Sequence, residues 1–550
     1  MRFAAKTIRL GRWLLPIITG VATALAFPPF NISQMAWLSL VPLLFAVENC
    51  PMGEAFRRGY IAGLTFFGLT TWWVVHVSVP GAVALIAFLA LYFGAGAALF
   101  SVISRRINAR LTLQGGPARL RTADATGVAG GHGDSILRNL AAALVGSACW
   151  TTLEWVRGWF LMGGFPWNFL GASQWQAVPF IQIASLTGVY GVSALLCFVN
   201  YAFYFTIRRF VRHIGDPAPG RRLSWEFYLA MLLVCLVFLH GIAEIRAGQE
   251  QKTSRTLRLG LAQPDIPQSL KFEPGEKRLI LSRLGGLTDV LLAARPDLVI
   301  WPETAMPWAI QYDSESVTLV TNILARSQAY LLTGFFDDRG PKSYNAAVLI
   351  APQPSVSAVY RKIHLVPFGE YVPLRPVWAP LLKRVGPRDY DVDKFFDLSS
   401  GDEITIFQAL GFRFGTIICF EDTLPGLYRE FVQHDVDFMV NLTNDAWFKT
   451  SPELEMHLAN AVFRAVENHR PLVRATNNGI TCVVGEHGFI LSRCAPFVQG
   501  SLSCELSLPV ERPTTFYTRH GDVFVAGCIA ISALGIGLAA FRGNRLQSGA

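Results

Sequence analysis

With 52% hydrophobic and only 16% charged side chains over 550 residues, the chain is much poorer in charge than a soluble domain, which carries about 25%. Its mean hydropathy of +0.36 excludes a wholly soluble protein and indicates a membrane protein with one polar portion. The net charge of +9 does not describe a nucleic-acid surface, because Arg and Lys fall in short clusters beside apolar runs.

Apolar runs near the roughly 20 residues needed to cross a bilayer predict spans at about Trp13–Phe30, Ser33–Val47, Gly59–Val79, Gly81–Ile103, Leu137–Val156, Val178–Ile207 and Trp225–Ile242. The second is short enough to be re-entrant. One more follows at Val523–Phe541. This divides the chain into a seven-span membrane domain (1–246), a catalytic domain (247–515) and a final helix with its tail (516–550). Basic clusters lie before the first run (Arg2, Lys6, Arg9, Arg12), after the second (Arg57, Arg58), after the fourth (Arg105, Arg106, Arg110), after the sixth (Arg208, Arg209, Arg212) and after the last (Arg542, Arg545). All share one side if seven spans precede the domain. By the positive-inside rule that side is cytoplasmic, so the large domain faces outward. A rival reading treats the basic start and Ala24-Leu-Ala26 as a cleavable secretory signal, but Phe27-Pro-Pro and another apolar run follow at once.

Two loops stand apart. Leu111 to Ser135 is Gly-rich and poor in large apolar residues, which predicts a flexible insertion. The stretch from Glu154 to Phe169, just beyond the fifth run, is crowded with aromatics. An interfacial aromatic belt would explain these. Glu154 and Arg157, spaced i, i+3 at a membrane edge, point to a pair that is satisfied or used, with lipid access as the expected role.

In the polar portion, strands are predicted at Leu257–Gln263, Asp297–Trp301, Tyr330–Phe335, Ala346–Ile350, Val356–Arg361, Thr405–Gln408, Arg413–Ile418, Phe438–Leu442, Leu472–Thr476 and Thr481–Val484. Helices fall between them at Pro274–Ala294, Ser314–Arg326, Leu424–Gln433 and Leu454–Asn468. Val372–Asp397, rich in proline and aromatics, fits an inserted arm. The alternation predicts a layered α/β domain with active residues at strand ends.

Three strand-like runs each end in a single reactive side chain: Glu303 after Trp301-Pro302, Lys362 after Tyr360-Arg361, and Cys419 after Thr416-Ile-Ile. A thiol near pKa 8.5 is mostly protonated at neutral pH and needs a base to become a nucleophile. Glu303, enclosed by apolar neighbours, is suited to be that base. Lys362 would stabilise the thiolate and the oxyanion, helped by the N–H of Phe420. Taken singly, each has an ordinary reading: a packed cysteine, a strand-end carboxylate, and a solvated lysine paired with Glu370. No metal is expected, since His364, His434, His457 and His469 lack ligand spacing, and no other cofactor is indicated.

Glu303, Lys362 and Cys419, in that order, resemble the Glu-Lys-Cys triad of the nitrilase superfamily. Gln263-Pro-Asp-Ile-Pro-Gln268-Ser-Leu-Lys271-Phe272, Trp301-Pro-Glu303, His364-Leu-Val-Pro-Phe-Gly-Glu370, Cys419-Phe-Glu421, Asn441-Leu-Thr-Asn444-Asp445-Ala-Trp447-Phe, Glu154-Trp-Val-Arg157 and Tyr517-Thr-Arg519-His-Gly521 resemble the apolipoprotein N-acyltransferase family over nearly the whole chain. The resemblance implies an α/β nitrilase-like αββα sandwich domain inserted between transmembrane helices of a polytopic α-helical membrane domain. It also implies a bacterial inner-membrane enzyme whose catalytic domain faces the periplasm. Such an enzyme moves an acyl chain from a phospholipid donor through a cysteine thioester to the α-amino group of a diacylglyceryl-apolipoprotein acceptor. Carried over, Glu303 is the base, Lys362 the oxyanion stabiliser and Cys419 the nucleophile. Glu370 orients the triad, and Phe420 and Glu421 shape the pocket. Trp447 lies on a loop near the substrate entrance. Because both substrates are held in the bilayer, the apolar loops around Trp378 and Trp447 are expected to dip toward the membrane and gate entry, with Phe272 also on the access side, and a monomer is expected. Phe272 stands where the family commonly has Trp, and Phe420 where it has Tyr, which puts a hydrogen-bonding role there in doubt.

An outward domain would expose Cys419, Cys482, Cys494 and Cys504 to an oxidising compartment, and Cys482–Cys494 pairing across a hairpin at Glu486-His-Gly488 stays open. Two other function classes are a membrane-tethered amidase, with water as acceptor, and a lipid or peptide transporter. Against the transporter, the spans carry few internal charges.

Overall fold

The computed structural model describes residues 2–113, 133–212, 224–250, 253–308, 313–353, 355–385 and 397–547. Most of the predicted Gly-rich insertion and much of the inserted arm therefore lie outside the described residues. So does the side chain of Trp378, although its backbone belongs to the helix Arg375–Val385.

Apolar helices Arg2–Leu25, Met52–Thr70, Val79–Leu113, Gly133–Trp159, Val189–Arg212 and Trp225–Glu250 pack together with Val523–Gln547. Among the described residues, four stretches are long and apolar enough to cross a membrane: Val79–Arg105, Ile136–Trp159, Val189–Val211 and Trp225–Glu250. The short second run is broken into a 3₁₀ turn, Ser33–Trp37, and the helix Val41–Val47. It nevertheless reverses the chain. Arg58 lies over Trp13, Gly20 meets Ala62 and Thr65, and Phe27 meets Phe66, so the first and third helices run parallel. The second run must return the chain between them. Asn200 pins it by accepting from Leu40 N–H and donating to the Ala36 carbonyl, and Arg208 pairs with Glu48.

The sixth predicted run is not one helix. It comprises Val178–Ile181, Ala184–Thr187 and, after a turn at Gly188, Val189–Arg212. Gly188 has φ +65°, and a Cβ there would sit 2.9 Å from the Tyr517 ring. Only glycine accepts both the left-handed backbone and that contact.

Among its described residues the C-terminal half holds twelve strands: β1 (Thr253–Gln263), β2 (Leu298–Ile300), β3 (Tyr330–Arg339), β4 (Lys342–Ile350), β5 (Val356–Arg361), β6 (Ile406–Ala409), β7 (Phe412–Ile418), β8 (Phe438–Thr443), β9 (Leu472–Thr476), β10 (Cys482–Val484), β11 (Ile490–Arg493) and β12 (Gly500–Pro509). They form two six-stranded sheets, ordered β12-β1-β2-β3-β4-β5 and β11-β10-β9-β8-β7-β6. Each has a parallel centre, β1-β2-β3 and β7-β8-β9, flanked by antiparallel strands.

Strand alternation explains the layers. Val299, Leu331 and Val348 point to the outer helices Lys277–Leu292 and Ser314–Ala325, forming a core with Ile280, Leu284 and Ile323. Leu298, Ile300, Leu332 and Leu349 point instead into a core shared with Phe414, Ile418 and Leu442 of the second sheet. Each such fully buried side chain contributes about 1.5–3 kcal/mol. Helices Pro425–Gln433 and Glu453–Asn468 lie along the second sheet, which completes the αββα sandwich.

Candidate active site

β5 is antiparallel to β4, which is antiparallel to β3, so β5 and β2 run the same way and present their C-terminal ends on one edge. Glu303 follows β2 and Lys362 follows β5. Cys419 follows β7 in the facing sheet.

The backbone at two of these ends is strained. Thr304 has φ +41° and Cys419 φ +55°, left-handed values that cost energy outside glycine and collect at functional sites. Gly334 on β3 makes room for the first, because a Cβ there would lie 2.5 Å from Thr304 N and 2.7 Å from Glu303 Cα.

Glu303 and Lys362 are buried, with Lys362 Nζ 3.9 Å from Glu303 Oε1. Glu370 holds the lysine more closely, at 2.9 Å from Oε2, and also accepts from Val366 N–H at 2.8 Å. Asn345 Nδ2 bridges the two acids, donating to Glu303 Oε1 at 2.7 Å and Glu370 Oε1 at 2.9 Å. Burial raises the Glu303 pKa above the usual carboxylate range, while Lys362 pulls it back. For Lys362 burial works against charge, yet Glu370, Cys419 and Glu303 outweigh it and its pKa rises, so it stays cationic. The Cys419 thiol, half-buried, is pushed up to about 12 by burial and by Glu303, against the opposing charge of Lys362. It is a thiol that does not ionise unaided at neutral pH.

Glu421 staples two of the strand ends together. Fully buried, it accepts from Ile363 N–H and His364 N–H at 2.9 Å, Ile418 N–H at 2.7 Å and Tyr360 Oη at 3.0 Å. It thereby fixes the residues that flank Lys362 and Cys419. The Phe420 ring lies under Lys362, 5.4 Å from Nζ. A cavity of about 440 Å³ opens beside it, lined by Ile363, His364, Tyr371, Ser400 and the membrane-half loop residues Met162 and Gly163.

The access residues separate into two groups. Phe272 and Trp447 are about half exposed, on loops of the sandwich. Glu154 and Arg157 are buried away from the thiol. Arg157 donates to the carbonyls of Phe165, Trp167 and Asn168 and lies between the Phe67 and Phe169 rings. Glu154 accepts from Leu170 N–H at 2.7 Å and Trp150 Nε1 at 3.0 Å. Together they brace the aromatic loop.

Several groups escaped sequence reasoning. Lys271, 3% exposed, donates to the Glu303 carbonyl at 2.9 Å, and burial lowers its pKa to about 8. It stood in the Gln263–Phe272 string without an assigned role. Beneath Cys419 lies a buried set comprising Asp422, Asn441, Asp445, Glu453, His457 and Arg474. Asn441 and Asp445 also stood within a quoted string, whereas His457 carries no local signal. Asp445, Glu453 and His457 bring three ligand atoms within 4.8 Å of one another. Arg474, paired with Asp422 and 3.7 Å from Asp445, already supplies positive charge there, so no metal is assigned.

Fold and site together define a carbon-nitrogen hydrolase-type domain carried by membrane-compatible helices. The sequence pattern of the apolipoprotein N-acyltransferase N-terminal domain matches residues 19–202, and that of carbon-nitrogen hydrolases matches residues 288–515. The chain belongs to the apolipoprotein N-acyltransferase family. It is 32% identical over 545 residues to the apolipoprotein N-acyltransferase of Geobacter metallireducens, covering 96% of this chain and 95% of that one. With the enzyme of the same name from Shewanella oneidensis it shares 28% identity, over 94% of each chain. Among solved structures, Saccharomyces cerevisiae Nit3, a member of branch 10 of the nitrilase superfamily, matches at 16% identity and a TM-score of 0.35, covering 46% of this chain and 91% of that one.

Proposed function

We propose that the protein transfers a fatty acyl chain from a phospholipid to the α-amino group of the N-terminal S-diacylglyceryl-cysteine of apolipoproteins, in the last step of lipoprotein maturation. The observation that carries this reading is the meeting of Glu303, Lys362 and the half-buried Cys419 at adjoining strand ends, in a chain of this family.

In the first half-reaction Glu303 takes the Cys419 proton and the thiolate attacks the ester carbonyl of the phospholipid. Lys362 and the N–H of Phe420, in a first helical turn whose donors lack intrahelical partners, face the oxyanion. Collapse breaks the ester bond. The lysophospholipid oxygen leaves with the proton held by Glu303, and Cys419 keeps the acyl group as a thioester. In the second half-reaction the acceptor amine attacks the thioester, Glu303 removes the amine proton, and the thiolate leaves and is reprotonated. The order is ping-pong. Both substrates are anchored in lipid, so the catalytic domain works at the bilayer surface. We place seven spans before the domain and one after it, and the domain on the periplasmic side of the bacterial inner membrane, acting as a monomer.

Mass spectrometry of the purified enzyme with phospholipid and no acceptor tests this. The expected result is a fatty-acyl mass on the Cys419 peptide, absent in Cys419→Ala and discharged to a diacylglyceryl-cysteine peptide that becomes N-acylated. Discharge to free fatty acid alone would make the protein a hydrolase. No adduct, with Cys419→Ala still acylating the acceptor, would remove Cys419 from the chemistry.

A further inference from the structure

The carbonyl of Cys419 is held from below. Asn441 Nδ2 donates to it at 3.2 Å, and His457 Nε2 lies 3.3 Å away. A left-handed non-glycine residue persists only where its surroundings over-determine it, so these contacts bear on whether the thiol keeps its aim.

His457 is itself fixed on every side. Nε2 lies 2.8 Å from Asp422 Oδ1, and Nδ1 lies 3.1 Å from Asp445 and 3.4 Å from Glu453. Arg474 pairs with Asp422. Burial alone would discharge the imidazole, but Asp422 and Asp445 keep its pKa well above the usual value. Its remaining ring face is covered from the other half of the molecule. Trp167 packs against it, with ring centres 5.3 Å apart and the planes tilted by 47°. Trp167 belongs to the loop braced by Arg157, which donates to its carbonyl at 2.6 Å. Trp73 links the same loop to Phe448, at 5.3 Å from Trp167 and 4.8 Å from Phe448, on the turn that follows Asp445.

We propose that Trp167 is a positioning residue: through His457 it sets the peptide of Cys419, so that the seating of a membrane-half loop controls the reactivity of the nucleophile in the sandwich. This rests on Cys419 as the acyl carrier and adds the route by which the membrane half acts on it. The chemistry is unchanged, and Trp167 need not touch substrate.

The test uses the full chain in lipid nanodiscs and a double-mutant cycle on Trp167 and His457. Trp167→Ala is expected to lower kcat for acyl-enzyme formation about 10- to 100-fold while KM for phospholipid stays within about twofold, and Trp167→Phe to recover most of the loss. His457→Gln is expected to cause a similar loss that Trp167→Ala does not deepen, because the two act through one contact. Alkylation of Cys419 by iodoacetamide, at fixed pH, should fall in parallel. Losses that multiply in the double mutant, or a Trp167→Ala effect confined to KM, would overturn the proposal and make Trp167 a lipid contact. If His457→Gln does not fold, the Trp167→Ala and Trp167→Phe pair carries the test. Alkylation in the absence of phospholipid reads the free thiol, independently of whether it goes on to carry an acyl group. A missing acyl adduct with intact coupling would therefore refute the carrier role alone, and an adduct without coupling would refute the positioning role alone.

Discussion

In the membrane half, Glu154 and Arg157 are buried with main-chain carbonyls, one N–H and an indole as their close hydrogen-bond partners. In the sandwich, Glu303, Lys362 and Glu370 are gathered against one another beside a partly buried thiol. The first arrangement spends its charge on shaping a loop. The second leaves a carboxylate and an ammonium facing a reactive atom, the carboxylate's proton affinity raised by burial and the ammonium's by its acidic neighbours. Buried charge beside the thiol serves the chemistry directly, whereas buried charge in the membrane half serves the loop that carries Trp167.

The sharpest way to break that contrast is to substitute on each side and read both turnover and stability. Cys419→Ala should abolish N-acylation, by at least about 10⁴-fold, with Tm unchanged. Glu303→Gln keeps the volume and removes the base, and a loss of about 10²–10⁴-fold in acyl-enzyme formation is expected, again at constant Tm. Arg157→Ala should act through the fold first: removing it leaves Glu154 buried without its counter-charge, which costs about 3–5 kcal/mol and is read as a lowered Tm, and acyl-enzyme formation falls with it because Arg157 holds the loop that carries Trp167. Loss of activity at unchanged Tm in Arg157→Ala would move that pair to the catalytic side of the comparison.

The same contrast marks what the sequence could reveal. Glu303, Lys362 and Cys419 were legible because each ends an apolar strand, a pattern written within a few residues. Glu421 was visible only as a neighbour of the nucleophile, since its four donors come from Tyr360, Ile363, His364 and Ile418. Asp422 and Arg474 lie 52 positions apart and their pairing exists only in the fold. The strand β12 had a readable signal, with Leu502, Cys504, Leu506 and Leu508 alternating with polar residues, yet the serines and glutamate between them mask it. Gly188 shows the opposite failure: one glycine in a long apolar run carries the positive φ at which the helix breaks, and only the fold shows that Tyr517, over three hundred positions away, packs beside it.

The acid limb of the rate profile sharpens the electrostatic half of the comparison. Glu303 acts as base only when ionised, and burial raises its pKa, so acyl-enzyme formation should fall as pH drops through a value above the usual carboxylate range. Lys271 is one of the charges that lower that pKa. Lys271→Met should therefore shift the limb to higher pH, measured from kcat/KM for phospholipid between pH 4 and 8, roughly the span in which a shifted carboxylate titrates. An unmoved limb would mean that Lys271 serves the Glu303 carbonyl alone.

The smallest effect is expected where the two halves meet the bilayer. Trp447 sits in the turn Asp445–Phe448, half exposed, while its neighbour Phe448 is packed on Trp73 of the membrane half. An indole left in solvent beside a seam of this kind suits a surface that lies in the interfacial zone, where Trp is enriched. Trp447→Ala leaves the buried charges in place, so the chemical step should survive. Turnover of phospholipid should fall about 2- to 10-fold, and turnover of a short soluble thioester much less, because only the former must be drawn out of the membrane. Equal loss on both substrates would place Trp447 with the residues that hold the site, alongside Asp445, and not with those that admit lipid to it.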